Sequence, residues 1–188
     1  MSLLIAGVLL WSLSHLSLAL APQFKAGVVA KIGLLPWKGL FALVVLLSLV
    51  MIIFGWRSAI PSMIWVPPAG MRHVTMALVP IALVLFFAAR APTDIKRVIR
   101  HPQLTGVKLW AVAHLLSNGD SRSLVAFGGL LVWAVLEVIF INRRDGKSWT
   151  RPEPVGWMKT AVSTIVALVI TGGIVHFHQY LSGIPLVS

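Results

Sequence analysis

The sequence predicts an all-α fold: one domain, 1–188, built as a polytopic bundle of about six transmembrane helices. Three observations carry that prediction. Hydrophobic residues make up 58% of the 188 and charged residues only 11%, with a mean hydropathy of +0.92. That is a membrane composition rather than that of a soluble core. The apolar residues also fall in continuous runs, most of them close to the length that crosses a hydrocarbon layer of about 30 Å. The bases, finally, sit between those runs, dense in one connector and sparse in the next. This pattern sets orientation in a membrane. The net charge of +11 therefore reads as topology. The expected partner is a lipid bilayer, not nucleic acid. With no cysteine in the chain, disulfides, thiolate catalysis and Cys-ligated metal centres are excluded.

The first span is Ser2–Ala21, with His15 inside it. Ala19-Leu20-Ala21 mimics a signal-peptide cleavage site, but no Lys or Arg precedes the apolar run, so a retained helix is expected. Residues 22–38 form a basic connector with an interfacial Trp37. Gly39–Gly55 is the second span, and 56–72 a loop rich in Pro and Trp. His73–Ala89 is the third span, where Pro80 should kink the helix and neighbouring helices can tolerate it. After the basic stretch 90–100 comes Pro102–Ser117, a helix short for a span. Pro102 suits its first turn, and Asn118-Gly119 suits its end because both residues tolerate a left-handed backbone. Ser123–Asn142 is the fifth span, with Gly128-Gly129 allowing close helix approach. Glu137 near its far end reads either as the partner of a loop arginine or as a site carboxylate. The connector 143–159 is polar and basic, and Thr160–Tyr180 is the sixth span.

Connectors one, three and five hold twelve bases, Lys25, Lys38, Arg100 and Lys147 among them, against Arg57, Arg72 and Arg122 on the other side. The positive-inside rule then places both termini outside. For a bacterial multi-pass protein of the inner (plasma) membrane, that is the periplasm. His15 lies about 9 Å and His114 about 18 Å from the inner ends of their helices, at about 1.5 Å per residue. Helix tilt can remove much of that difference, so a pair of imidazoles facing one ligand is geometrically open. His101 and His114 are on nearly opposite faces and cannot share a small site. His101, beside Arg100 at the inner boundary, suits a polar or anion-facing role. His73, His176 and His178 fall towards the outer face, but His176 and His178 point about 200° apart and would not chelate together. Lys108 and His114 are ionisable groups in an apolar helix, which makes them functional candidates.

Several stretches together resemble one family. Pro36-Trp37-Lys38-Gly39-Leu40, Arg100-His101-Pro102, the run Gly106 to Asp120 and Phe127-Gly128-Gly129 are similar to NnrU membrane proteins of bacteria, a family named for an association with denitrification. The resemblance is strongest over 1–142. NnrU proteins are in turn similar to the plant isomerase acting on the 15-cis bond of zeta-carotene, which resembles a haem b protein with histidine axial ligands. The resemblance thus implies a haem iron held by His114, in Ala113-His114-Leu115, and by His15 of the first helix. It also implies nitrogen-oxide metabolism, with redox, isomerisation or nitric-oxide binding as possible roles and a small apolar or gaseous ligand as partner. Imidazole suits haem iron, and a dry interhelical pocket suits a flat apolar ring. By charge and predicted position, Lys38, Arg100 and Lys108 are the candidates to meet acidic propionates.

Two other readings stay open. Arg100-His101-Pro102 followed by Gly106 resembles the motif of membrane methyltransferases that use S-adenosylmethionine. Leu104 stands where those enzymes have an aromatic residue, and their downstream paired carboxylates are missing. The third reading is a non-enzymatic membrane subunit or transporter. No half-chain duplication supports a transporter. Ser117, His114 and Asp120 cluster in sequence but lack an oxyanion-hole motif.

Overall fold

The computed structural model describes residues 1–146 and 149–184. Counting Ser121–Asp145 as one helix, the described residues form eight helices and no strand. They are α1 (Ser2–Leu20), α2 (Pro22–Ile32), α3 (Leu34–Ser58), α4 (Met71–Ala88), α5 (Ile95–Val98), α6 (Pro102–Ser117), α7 (Ser121–Asp145) and α8 (Trp157–Ser182). Five of them, α1, α3, α4, α7 and α8, are long and apolar enough to cross a bilayer. The fourth predicted span, α6, has 16 residues. At about 1.5 Å per residue it measures roughly 24 Å, short of the hydrocarbon thickness.

The first connector differs from its prediction. Residues 22–32 are helical, begun by Pro22 in the first turn and stopped at Gly33, whose φ of 87° an L side chain disfavours. The second span starts at Leu34 rather than Gly39, so Lys38 lies inside α3 and not in a connector. Leu34, Leu35 and Trp37 extend the apolar run, and Pro36 is tolerated in a first turn. Pro102–Ser117 keeps its predicted bounds, and the ends of the remaining spans lie within three residues of theirs. Pro80 sits within α4 without breaking it, and Leu124–Gly128 is a π-turn inside α7. Lys147, one of the connector bases, lies outside the described residues.

The packing order is α3–α1–α7–α6–α4–α8, with lighter contact between α8 and α3. The apolar core of Leu4, Val8, Trp56, Ala111, Ala126 and Phe127 fills the half of the bundle away from the basic connectors. Large apolar side chains such as Leu43, Leu46, Val166 and Val169 stay exposed on α3 and α8, as lipid-facing helices require. Backbones approach closely between α1 and α3, where Gly55 meets Leu4, and between α4 and α6. A Cβ added at Gly106 would collide with the Ala82 carbonyl oxygen and meet Phe86 N at 2.8 Å. Small residues let helices meet at this distance.

The end of α6 also departs from its prediction. Asn118 is extended, with φ −130° and ψ 116°, and Gly119 is not among the residues with positive φ. Glycine is required there for a different reason. The Trp65 carbonyl passes over the place a Cβ would occupy, and Gly119 O accepts from Ile64 N at 2.8 Å and Trp65 N at 3.1 Å. The loop 59–70 is thereby strapped across the α6–α7 turn.

Candidate functional site

His15 and His114 are built alike. Each follows a tryptophan by four residues, as Trp11-Ser-Leu-Ser-His15 and Trp110-Ala-Val-Ala-His114. On a helix, residues four apart are neighbours on one face. Each imidazole Nδ1 lies 2.8 Å from the carbonyl oxygen of its own tryptophan. A carbonyl oxygen only accepts, so Nδ1 donates and carries the proton. The neutral ring then keeps its lone pair on Nε2, the arrangement that prepares a histidine to ligate a metal. The spacing was visible in the sequence, and it is the signal that sequence reasoning passed over.

The rings around the two histidines differ. His15 touches Trp11 at 4.4 Å, Trp133 at 5.2 Å and Phe41 at 5.5 Å between centroids. His114 touches Trp110 at 4.8 Å and stacks on Phe127 at 4.5 Å. Their two partners on α7, Phe127 and Trp133, are six residues apart, about 9 Å along the helix. Among the described residues no ring contact joins His15 to His114. His178 of α8 is close enough to act on His114 electrostatically. His178 Nδ1 is 3.0 Å from the Ser182 hydroxyl, and His176 packs on Phe177.

The three cations considered for propionates stand apart. Lys38 is exposed on α3 and Lys108 half-buried on α6. Arg100 precedes α6 and lines a cavity at the basic end of the bundle. His101 lines the same cavity and places Nε2 2.9 Å from Asn142 Oδ1.

Glu137 proves to be an interior residue, 8% exposed. It repeats the same spacing, as Trp133-Ala-Val-Leu-Glu137. α1 and α7 run parallel: Gly129 meets Val8, Trp133 meets Trp11 at 5.5 Å, and Arg144 Nη1 donates to Leu18 O at 3.2 Å. That register sets Glu137 level with His15. Trp11 Nε1, Trp133 Nε1 and Glu137 Oε2 are all buried without a hydrogen-bond partner. The Trp133 side chain lies near enough to act on the Glu137 carboxyl group without a well-aligned hydrogen bond, and Arg144 lies within electrostatic reach of it.

The α6–α7 turn is a third polar centre, and it is structural. Asp120 caps α7, accepting from Arg122 N at 2.9 Å, Ser123 N at 3.1 Å and the Ser123 hydroxyl at 2.9 Å. Burial pushes its carboxyl up. The Ser123 donors and the Arg122 charge outweigh that and hold it below the ordinary carboxylate value. The Arg122 guanidinium lies 4.7 Å over the Trp56 ring. The Asp120 carboxylate thus serves the helix start rather than a catalytic triad.

An all-α bundle of five bilayer-length helices, with two tryptophan-backed imidazoles inside it, defines a multi-pass integral membrane protein. The family described as NnrU protein matches residues 3–186, and the chain belongs to that family. No curated protein and no solved structure matches the chain.

Proposed function

We propose that this NnrU-family protein binds haem b through His15 and His114 and takes part in nitrogen-oxide metabolism in the bacterial inner membrane, with both termini periplasmic. The observation that supports it most is the shared geometry of the two histidines. Each has Nδ1 committed to a backbone carbonyl and Nε2 left as the lone-pair nitrogen, inside an aromatic, water-poor setting. When bound, haem would supply redox chemistry and a site for a small gaseous or apolar ligand. The chain's own residues would hold the iron and exclude water. His15 and His114 contact α7 at Trp133 and Phe127, about 9 Å apart along the helix, an offset that a group held by both would have to span. Orientation rests on the basic connectors.

The test is the absorption spectrum of detergent-purified protein, oxidised and dithionite-reduced, beside His15→Ala and His114→Ala. A Soret band lost or shifted in both variants is the expected result. A well-folded protein that stays colourless after haem supplementation rejects the reading. S-adenosylmethionine binding would then be measured, with Arg100 and His101 as the residues to change.

A further inference from the structure

The basic end of the bundle holds a cavity of about 280 Å³ lined by Lys96, Arg100, His101, Leu104, Trp149 and Pro152, among others. It opens where α4 ends and α6 begins, at the level where the chain leaves the apolar layer. Three independent parts of the chain make it, so it is a product of packing. The connectors on either side are tied to one another. Asp94 carboxylate oxygens accept from Val155 N at 2.8 Å and Gly156 N at 3.2 Å, and Arg97 Nε donates to Pro152 O at 3.1 Å.

The cavity gathers Lys96 and Arg100, and among the described residues neither cation has a carboxylate in direct contact. Among the described residues the ion pairs are Arg122–Asp120 and Arg144–Asp145; neither Lys96 nor Arg100 is in one. The chain has five carboxylates. Asp94 is committed to the backbone, Asp120 caps α7 at the opposite end, and Glu137 is inside the bundle. Glu153 is exposed. Asp145 acts electrostatically on Arg100 and His101 but is held at 2.7 Å by Arg144. Arg100 is fixed by one nitrogen, Nη1, donating to Gly146 O at 3.3 Å, which leaves the rest of its donor fork available. Leu104, Trp149 and Pro152 give the other wall an apolar surface. At 280 Å³ the space is below the size of a pocket for a drug-sized molecule, roughly 300–1,000 Å³. It suits a headgroup rather than a whole amphiphile.

We propose that this cavity binds a phosphate-bearing anion at the inner bilayer surface, with Lys96 and Arg100 as its charge contacts. Basic pockets between helices on the cytoplasmic side take anionic headgroups, and a guanidinium fork matches phosphate oxygens. The site does not depend on haem.

Native mass spectrometry of the delipidated full-length protein in detergent tests it. Phosphatidylglycerol is titrated against phosphatidylcholine, with and without inorganic phosphate. Lys96→Gln with Arg100→Gln should weaken phosphatidylglycerol binding about thirtyfold. Lys25→Gln with Lys31→Gln on α2 should leave it within about twofold, since neither lines the cavity. Circular dichroism checks the fold of each variant, and Arg100→Lys alone, which keeps the charge, covers the case where the double variant misfolds. It should retain most of the binding. Phosphatidylglycerol binding undisturbed by inorganic phosphate assigns the site to a lipid headgroup. Displacement by phosphate assigns it to a soluble phosphorylated ligand. Equal binding of the two lipids, or wild-type binding by a folded double variant, overturns the proposal.

Discussion

The two ends of α7 treat buried polar groups in opposite ways. At its start, Asp120, Ser123 and Arg122 satisfy one another, and Arg122 covers Trp56. The adjoining loop closes over Gly119 with paired backbone bonds. At the level of His15, Trp11 Nε1, Trp133 Nε1 and Glu137 Oε2 are buried without a well-formed hydrogen bond, although Trp133 lies close enough to Glu137 to act on its carboxyl group. Each such atom costs about 1–3 kcal/mol. The first arrangement holds the fold. The second contributes less to it, which sets the His15 seam apart from the α7 cap.

The comparison can be broken at three points. Gly106→Val should have the largest effect, because the added carbons meet α4 backbone that moves only with the helix. A fall in Tm of about 5–10 °C, or loss of monodisperse protein in detergent, is expected. Asp120→Ala removes the α7 cap and should cost about 1–2 kcal/mol in chemical unfolding. The same residue predicts a pH dependence. Its folded carboxyl lies below its unfolded value, so its contribution is full above the unfolded value and is lost as pH falls through the folded one. Wild-type Tm should therefore drop more steeply than that of Asp120→Asn below about pH 4. Glu137→Met should have the smallest effect and the opposite sign, leaving Tm unchanged or raising it by a few degrees. A Glu137→Met variant as unstable as Asp120→Ala would erase the distinction between the two ends.

Much of this architecture was legible in the residues. The apolar runs marked all five bilayer-length helices to within a few residues, except that α3 begins five residues early. That miss came from reading Lys38 as a connector charge, although one lysine near a helix end costs little when its head reaches the interface. The helix α2 went unread because its two lysines and short length carry no span signal. Gly119 was identified as a residue the turn needs, but for the wrong reason. Its role depends on Trp65, more than fifty positions earlier, whose carbonyl no local pattern announces.

By itself the sequence determined the helical membrane class, the alternation of base-rich and base-poor connectors, and the tryptophan four residues before His15 and His114. Those follow from composition and from contacts within one or two helical turns. Tertiary structure alone decided that His15 and His114 meet α7 at separate levels, that Glu137 faces into the α1–α7 seam, and that Lys96, Arg100 and Trp149 enclose one cavity. Periodicity fixes which face of a helix a residue occupies. It does not fix the register in which two helices dock, and that register follows from where small residues such as Gly106 and Gly129 let neighbouring chains approach.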